Sequence, residues 1–428
     1  MKRLIALCTG GAILAASVPA AADEEVSLAG FGTVAYAQSN RSYRYQRFID
    51  SGGTFQRDSR LGVQLDVRLT PAWSATVQAA LAPAADSDRQ WDLALPWAFL
   101  SWRPDNDWLL RAGKLRLPLL RYSETMDVGT TFNFARLPIE VYSLAPTAEV
   151  SGVAVARSWL DERRELSLEG YLGSADSYWR FFRRDATPRS RPRGAWFEHI
   201  EMWLTGALLT VREGDHRLRL SVHRGDVKRV DAPIPVTYPF VPVGGGGGYY
   251  QVTDALPGPG VPTVDRVLNY TFTASAEFVL PREFIVTGEA VRRRVTRATL
   301  GTDSWAAYVA LQKRVGAWTP YAYVARILSS SSSRRLYADV NGNLLPASTP
   351  GADIINPSQR LGVDSLDVFD QRSVAVGSAY LLTPQQKLKV EWLHSRTGST
   401  SGFLDAPSGE NSGHRAVDVL SLSYNFTF

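Results

Sequence analysis

The feature that most constrains this chain is a repeated alternation of apolar and polar residues. In SRLGVQLDVRL, a leucine or valine occupies every second position from Leu61 to Leu69, and the final LSLSYNFTF alternates in the same way up to Phe428. Successive side chains of a strand point to opposite faces, so each stretch predicts a strand with one apolar and one polar face. Strands of about ten residues have the length that a tilted strand needs to cross a bilayer.

The connections between such strands are alternately short and long. Seven short turns and eight longer loops give sixteen strands, with both chain ends on the side of the short turns. The predicted turns are 70–72, 103–107, 160–164, 212–216, 280–283, 314–317 and 383–386, and the predicted loops are 38–58, 82–90, 118–149, 174–199, 225–266, 292–302, 328–370 and 396–414.

This arrangement predicts an all-β fold, a transmembrane antiparallel up-and-down β-barrel of about sixteen strands. Hydrocarbon offers no hydrogen-bond partner, so every strand edge must be paired, and closure is the only way for a sheet to achieve that. A soluble β-sandwich also alternates, but it has no reason to collect its long loops on one side. Tryptophans at strand ends would form the interfacial girdles of a barrel, and Trp73, Trp108, Trp318 and Trp392 are the candidates.

The N-terminal segment has the pattern of a secretory signal peptide. A positive start at Lys2 and Arg3, an apolar run from Leu4 to Val18 and a small-residue site before Asp23 predict a signal peptide over 1–22 and a barrel over 23–428. The only cysteine, Cys8, lies in the segment to be removed, so disulfides, thiolate metal sites and cysteine nucleophiles are not expected.

Other chemistries find little support in the sequence. The formal net charge of +5 is too small to indicate a nucleic-acid partner. The five histidines are scattered and no G-x-S-x-G motif is present, so we expect no enzyme, and neither a cofactor nor a metal. The DVNGN stretch at 339–343 predicts a hairpin turn and not a calcium loop, because Pro350 occupies the position of the bidentate acid.

Three stretches carry a resemblance to a known family. With SLAGFGTVAYA near the start, RAGKLRLPLLRYSETMDVG before the third long loop and SYNFTF at the end, the chain resembles the sixteen-stranded outer-membrane porins. The resemblance implies a passive water-filled channel in the bacterial outer membrane, usually a homotrimer, with the third loop folded into the lumen. It also implies export to the periplasm and contact with the barrel assembly machinery, outer-membrane lipid and lipopolysaccharide.

The third long loop, 118–149, is the candidate constriction of the pore. It mixes charges with aromatic residues, whereas GGGGG (244–248) and SSSSS (329–333) in other loops predict flexible, solvated sequence. The closing strand resembles the signal that the assembly machinery reads. The constriction candidates are Arg121, Glu124, Asp127, Arg136 and Glu140, and the assembly-signal candidates are Tyr424, Phe426 and Phe428.

The polar rows of the strands supply candidate pore-wall residues. Basic residues outnumber acids among them, which predicts a weak anion preference, although each could be a solvated charge without influence on transport. Arg111 would then face lipid at a cost of roughly 2 to 4 kcal/mol, unless it lies at a rim or a subunit interface. The wall candidates are Arg60, Asp66, Arg68, Lys114, Arg116, Lys389 and Glu391.

Three functions remain open at this level. The first is a porin for small hydrophilic solutes and ions, and the second is a solute-selective channel for an anionic substrate. The third is a non-conducting barrel with a structural or adhesive role. Deleting the third loop separates the third hypothesis from the others, because that deletion widens conductance only in a channel.

Overall fold

The barrel predicted from the alternation is the fold of the protein. A computed structural model describes residues 25–186, 192–244 and 247–428, and the predicted signal segment 1–22 lies outside them. Sixteen strands form one closed antiparallel barrel in chain order, with the last strand paired to the first. They are β1 Val26–Ser39, β2 Arg60–Arg68, β3 Trp73–Pro83, β4 Trp91–Trp102, β5 Trp108–Arg116, β6 Glu149–Leu160, β7 Arg164–Arg183, β8 Gly194–Glu213, β9 His216–Arg229, β10 Val267–Leu280, β11 Phe284–Thr296, β12 Ser304–Lys313, β13 Trp318–Ser329, β14 Phe369–Thr383, β15 Gln386–Ser401 and β16 Ala416–Thr427.

The two faces of the wall have opposite chemistry, as the alternation requires. On β2, Leu61 and Val63 point outward and are 49% and 45% exposed. The inner face of the same strand carries Gln64, which accepts a hydrogen bond from Gln78 at 2.9 Å. The apolar rows therefore form the outer surface and the polar rows form the lumen.

The closing strand meets β1 in the predicted place. Gly32 lies opposite Phe426, and the amide of Gly30 donates to the carbonyl of Phe428 at 2.8 Å. A Cβ added to Gly32 would overlap the ring of Phe426, and one added to Gly30 would overlap Phe428. The aromatic rings thus lie across two glycines on the outer surface, with Tyr424 in the next position of the same row.

The fourth loop is much shorter than predicted. β7 and β8 pair over twenty residues each, so most of 174–199 is strand. Neighbouring strands accompany this hairpin only as far as Ser174 and Ile200. The remainder, 175–183 with 194–199, projects beyond the rim, and we call it the mouth ribbon. The predicted limits 174 and 199 therefore mark where the wall ends, while the pairing of β7 with β8 continues beyond them to Arg183 and Gly194.

The seventh loop contains helices where the sequence predicted flexible serines and a hairpin turn. The helices are α1 Ile139–Tyr142 in the third loop and α2 Ser331–Gly342 and α3 Ala352–Asp364 in the seventh. Ser330 caps α2 by accepting from the Ser333 amide at 3.1 Å, so the serine run begins a helix. Asn341 and Gly342 belong to the end of that helix.

The fifth loop is held by two short ribbons. Ile234–Pro235 pairs with Thr263–Val264, and Phe240–Val243 pairs with Gly247–Tyr250, so part of the glycine run is strand. Single 3-10 turns occur at Gly129–Thr131 and Pro281–Glu283. Within the described residues, no helix is long and apolar enough to span a membrane.

Three of the four tryptophans named as girdle candidates lie at strand ends. Trp73, Trp108 and Trp318 are the first residues of β3, β5 and β13, at the end of the short turns. Trp392 lies well inside β15 and stacks on His394, with ring centroids 6.0 Å apart.

Candidate functional site

The third loop, residues 117–148, folds into the lumen and packs against one side of the wall. Its largest fully buried side chain is Phe134, which has no exposed surface. The ring lies edge-on to Tyr308, Tyr321 and Tyr323 of β12 and β13, with centroids 6.1, 5.1 and 5.7 Å away. Such edge-to-face contacts fix orientation as well as burying area. The predicted inward fold of this loop is confirmed.

Two lysines of β15 hold the backbone of the loop. Lys389 donates to the carbonyl of Phe134 at 2.9 Å, and Lys387 donates to the carbonyl of Thr130 at 2.7 Å. Lys389 is only 3% exposed and lies over the Phe132 ring. The prediction that Lys389 lines the open pore is corrected, because the loop covers it.

Glu391 and Glu140 are also structural in this arrangement. Glu391 accepts a hydrogen bond from the Tyr321 hydroxyl at 2.8 Å. Glu140 accepts from Gln371 at 2.9 Å and from Ser373. Both carboxylates are 1% exposed, so neither the wall prediction for Glu391 nor the constriction prediction for Glu140 holds. Burying a carboxylate is costly unless neighbours supply its hydrogen bonds; these contacts meet part of that need, and Oε1 of Glu391 is buried without a hydrogen-bond partner.

Arginines fasten the remaining parts of the loop. Arg136 donates to Asp58 of the first loop at 3.0 Å and is 7% exposed. Asp127 lies between Arg60 of β2 and Arg116 at the end of β5, in contact with both guanidinium groups. Three of the predicted site residues, Arg60, Arg116 and Asp127, are thus brought together in one cluster, and Arg136 pairs separately with Asp58; both contacts are ion pairs that anchor the loop.

Two charged residues of β5, Arg111 and Lys114, lie on the opposite faces from those predicted. Arg111 points into the lumen, where its guanidinium lies 2.7 Å from Glu169 of β7. Lys114 lies opposite Ser151 on the outer face and pairs with Glu149 at 2.7 Å. The stretch LLRAGKLR carries charges at both parities, so the alternation could not decide between the two faces.

The free side of the loop approaches the wall formed by β5 to β9. Glu124 is partly exposed, at 34%, and its oxygens lie 3.5 Å from Arg219 and 3.9 Å from Arg111. Arg219 also donates to the carbonyls of Leu120 and Pro118 at 3.2 and 3.1 Å. This cluster of two arginines and a glutamate, together with Glu169, marks the narrow region between loop and wall.

A cavity opens on each side of this narrow region. The lower cavity, toward the short turns, has a volume of about 430 Å³ and is strongly charged. The upper cavity, toward the long loops, has about 470 Å³ and mixes charged with aromatic residues. The lower cavity is lined by Arg121, Glu124, Glu165, Glu169, Arg212, Arg217 and Arg219, and the upper one by Met126, Tyr142, Trp179, Glu198, Met202, Arg229, Arg293 and Asp367.

The other predicted site residues have mixed placements. Arg121 borders the lower cavity and pairs with Glu277 at 2.6 Å. Asp66 and Arg68 line a third cavity of about 720 Å³ at the short-turn end, together with Arg111. Arg217 and Arg219 also line the lower cavity and were not among the predicted site residues; the alternation in HRLRLSVH, 216–223, places both on the polar row and could have indicated them.

Ion pairs close the long-loop end above the upper cavity. Arg180 of the mouth ribbon donates to both oxygens of Asp405 at 2.9 and 2.7 Å, and to Asp88 at 2.8 Å. Arg47 of the first loop contacts the same Asp88 at 2.5 Å. Arg184 at the tip reaches Asp364 of α3. The ribbon is thereby tied to the first, second, seventh and eighth loops, across the mouth.

The two carboxylates on Arg180 differ in their titration. Burial acts to raise the pKa of Asp88, but the hydrogen bonds and charges of Arg180 and Arg47 outweigh it and hold that pKa below its ordinary value. Asp405 is more deeply buried, and burial raises its pKa above the ordinary value despite Arg180. Ionised Asp88 therefore stabilises the docked ribbon more than ionised Asp405 does.

A buried hydroxyl chain lies in the wall behind the loop. His223 hydrogen-bonds Tyr171 and Ser221, both at 2.6 Å, and Ser221 meets Thr273, which donates to the carbonyl of Leu119 at 3.1 Å. Ser221 and His223 are less than 10% exposed. Through Thr273, this series of hydrogen bonds connects the wall to the third loop. In the described part of the chain, no three histidine, aspartate or glutamate side chains cluster in a way that could hold a metal ion.

Comparisons with known proteins agree with this architecture. No protein-family model matches the chain, and no curated protein matches it significantly in sequence. Among solved structures, OmpT, an outer membrane protein of Vibrio cholerae in its trimer form, is similar at 11% identity and a TM-score of 0.52, with 94% of this chain and 99% of that chain covered. The outer membrane channel DcaP of Acinetobacter baumannii follows at 11% identity and 0.51, with 94% and 97% covered.

A third similar structure is OprB of Pseudomonas putida, at 9% identity and a TM-score of 0.51, with 94% of both chains covered. At such identities the similarity shows the fold alone. The closed sixteen-stranded barrel with an inward third loop is the porin-type fold that the sequence resemblance implied.

Proposed function

We propose that this protein is a porin, a passive water-filled channel for small hydrophilic solutes and ions in the bacterial outer membrane. The observation that carries the proposal is the third loop, which occupies one side of the lumen and leaves charged cavities between its free side and the wall. Outward rows of leucine, valine and tryptophan suit contact with lipid, while the polar inner rows suit water. The protein is a channel and not an enzyme in this proposal.

The lining of the narrow region supports a weak anion preference. Arginines at 111, 121, 212, 217 and 219 outnumber the glutamates at 124, 165 and 169 around the lower cavity and its entrance. Charges in a narrow passage with low-dielectric walls act strongly on passing ions, because the field is focused there. The preference is weak because most of these arginines have a carboxylate within 4 Å.

Arg217 offers the cleanest test of this preference. It lines the lower cavity, and among the described residues its side chain has no ion-pair partner within 4 Å, so its removal leaves the third loop attached. In planar bilayers we expect stepwise ohmic insertions of the parent protein and a reversal potential of anionic sign in a salt gradient. Arg217→Ala should shift that potential toward zero by several millivolts, the direction expected when one focusing charge is removed.

The matched control is Arg163→Ala, which removes an exposed arginine from the short turn between β6 and β7. It should leave the reversal potential unchanged. A folded protein that never conducts contradicts the channel proposal, whereas a conducting protein without anion preference contradicts only the selectivity.

A solute-selective channel for an anionic substrate is the second candidate. The upper cavity favours it, because Arg229 and Arg293 face a space that Trp179 and Tyr142 also line. Such a mixture of guanidinium groups and rings suits a small organic carboxylate. Benzoate added on the long-loop side should then interrupt the current of single channels, while acetate at the same concentration should not.

The remaining parts of the proposal concern export and assembly. We propose that residues 1–22 direct export, that Tyr424, Phe426 and Phe428 form the assembly signal, and that outer-membrane lipid and lipopolysaccharide surround the folded barrel. OmpT of Vibrio cholerae is described in a trimer form, and we propose a homotrimer here. Native mass spectrometry of the detergent-solubilised protein tests this assignment.

A further inference from the structure

On the outer wall, three arginines form a row across three neighbouring strands near the long-loop end. Arg326 of β13 lies directly opposite Arg372 of β14, and Arg372 lies directly opposite Arg396 of β15. Directly opposed residues of an antiparallel pair share a face, with Cβ atoms about 4.5 to 5.5 Å apart. Three guanidinium groups are therefore crowded on one patch, which we call the arginine row.

The arginine row points away from the lumen. Val324 and Val374, the next residues on the same faces toward the short turns, are 56% and 45% exposed. Val376 and Trp392, a directly opposed pair still nearer the short turns, are 53% and 47% exposed. The row thus begins where the continuous apolar band of the outer wall ends.

The carboxylates nearby neutralise only the Arg326 end of the row. Asp370 accepts from Arg326 at 2.6 Å, and the same carboxylate also lies 3.9 Å from Arg334 of α2. Arg396 donates to His394 at 3.0 Å, an uncharged acceptor when the other ring nitrogen donates to Asp418. Arg372, in the middle, has no carboxylate within 4 Å and no side-chain hydrogen bond among the described residues.

Such an arrangement is costly unless an anion completes it. Like charges directly opposite each other destabilise a sheet, and a guanidinium that lacks an acceptor gains nothing from its position. Phosphate is the anion whose oxygens fit arginine forks best, often two hydrogen bonds at a time.

We propose that the arginine row binds the phosphate groups of an anionic lipid in the outer leaflet. This inference rests on the proposed outer-membrane location, which places the long-loop end at the outer leaflet. A lipid bound here has its phosphate groups on Arg326, Arg372 and Arg396 and its acyl chains along the apolar band below them. Free phosphate would use the first contact only, so the lipid is the favoured source of the phosphate.

The test uses the full barrel, refolded in zwitterionic detergent micelles and titrated with bis-phosphorylated lipid A. We expect Arg372→Gln combined with Arg396→Gln to weaken binding about tenfold, the loss expected when two charge-assisted hydrogen bonds to phosphate are removed. Arg163→Gln in a short turn is the matched control and should bind like the parent protein. Dephosphorylated lipid A should bind the parent no better than it binds the double variant.

Two further measurements keep the outcome interpretable. In lipid-free micelles the double variant should unfold at the same or a higher denaturant concentration than the parent, because removing like charges relieves repulsion. Its conductance should be unchanged, so a failure of the lipid proposal is separable from a failure of the channel proposal.

Several results would overturn the proposal. One is equal lipid A affinity in parent and double variant, and another is equal affinity for phosphorylated and dephosphorylated lipid. Displacement of the lipid by millimolar inorganic phosphate would make the row a simple ion site. A change in oligomeric state without a change in lipid affinity would assign the row to a contact with a second copy.

Discussion

At the scale of single residues, Phe134 shows how the lumen is partly filled. Its ring is fully buried among three tyrosines of the wall, although Phe134 belongs to the third loop and not to a strand of the barrel. Two of those tyrosines give their hydroxyls to carboxylates, Tyr308 to Glu289 and Tyr321 to Glu391, both at 2.8 Å. The phenyl ring therefore packs against tyrosine rings, and the hydroxyl groups of two of these tyrosines form hydrogen bonds with carboxylates of the wall.

We expect Phe134→Ala to loosen the third loop from the wall. Removing a buried phenyl ring costs about 3 to 5 kcal/mol of stability, because a cavity remains. The measurements are the urea midpoint of the refolded barrel and the single-channel conductance, which should rise and become noisier as the loop moves. Phe55→Ala is the control, since Phe55 is 58% exposed in the first loop. Unchanged conductance in Phe134→Ala would show that this anchor does not define the passage.

Prediction from sequence was uneven at the residue scale, for a physical reason. Alternation assigns a face only when one parity is apolar, as on β2, and it failed on β5, where Arg111 and Lys114 lie at opposite parities. It also cannot tell a wall charge in water from one under the loop. Lys389 and Glu391 look like pore-wall residues in sequence, and only the structure shows that Lys389 donates to the third-loop carbonyl of Phe134 and that Glu391 is buried against Tyr321.

At the scale of elements, the mouth ribbon is the part of the hairpin that the barrel does not support. It lacks neighbouring strands on both sides beyond Ser174 and Ile200, so side-chain contacts with other parts of the molecule hold it, and ion pairs with other loops are prominent among them. Arg180 is central because it serves two carboxylates, Asp88 and Asp405, from loops that are far apart in sequence. Docking of the ribbon therefore has a substantial electrostatic component.

The pKa directions predict an asymmetry between these two carboxylates. The docked state holds the pKa of Asp88 low, so Asp88 supports docking above the ordinary aspartate pKa of about 4, and this support is lost as the pH falls through the lowered value. The pKa of Asp405 is raised in the docked state, because burial disfavours its ionised form. Ionisation of Asp405 therefore opposes docking, whereas ionisation of Asp88 supports it. At neutral pH, Asp88→Asn should therefore release the ribbon more than Asp405→Asn does.

Trypsin cleavage near Arg183 at the ribbon tip measures this release. We expect cleavage to accelerate several-fold in Asp88→Asn and to rise in the parent protein with salt, since partly exposed ion pairs are screened. A faster cleavage of Asp405→Asn than of Asp88→Asn would contradict the assignment.

The elements themselves were largely predictable, except where loops carry structure. The seven turns and the strand count follow from alternation and turn residues, and they are found as predicted. The helix α2 was hidden in a serine run because Ser330 acts as a cap and the helix then packs Tyr337 and Val340 against Val363. Such tertiary packing leaves no local signal in composition.

At the scale of the whole molecule, closure depends on a match between two distant ends of the chain. β1 supplies Gly30 and Gly32 on its outer face, and β16 supplies Phe426 and the terminal Phe428, whose rings lie over these glycines. An aromatic ring that covers a strand glycine shields backbone hydrogen bonds and fills the space of the missing side chain. The seam of the barrel is therefore specified by complementary small and large residues.

This match predicts a coupling between Gly32 and Phe426. Gly32→Val should destabilise the barrel by about 1 to 3 kcal/mol, because the new side chain overlaps the ring and overpacking has that cost. Phe426→Ala alone removes a partly exposed ring and should cost less. In the double variant the overlap is gone. The destabilisation of the double variant should therefore be smaller than the sum of the two single destabilisations by about 1 kcal/mol or more, as for residues in contact.

Urea unfolding in micelles should be measured for the parent protein, the two single variants and the double variant. The readout is the faster gel migration of the folded barrel in unheated samples, which is lost on unfolding. The matched control replaces Gly62, which faces Phe31 on the inner side of the same region, because a valine there should not couple to Phe426. Additive effects at Gly32 and Phe426 would mean that the ring does not rest on the glycine. Coupling confined to that pair would show that the aromatic residues of the last strand stabilise its pairing with the first strand.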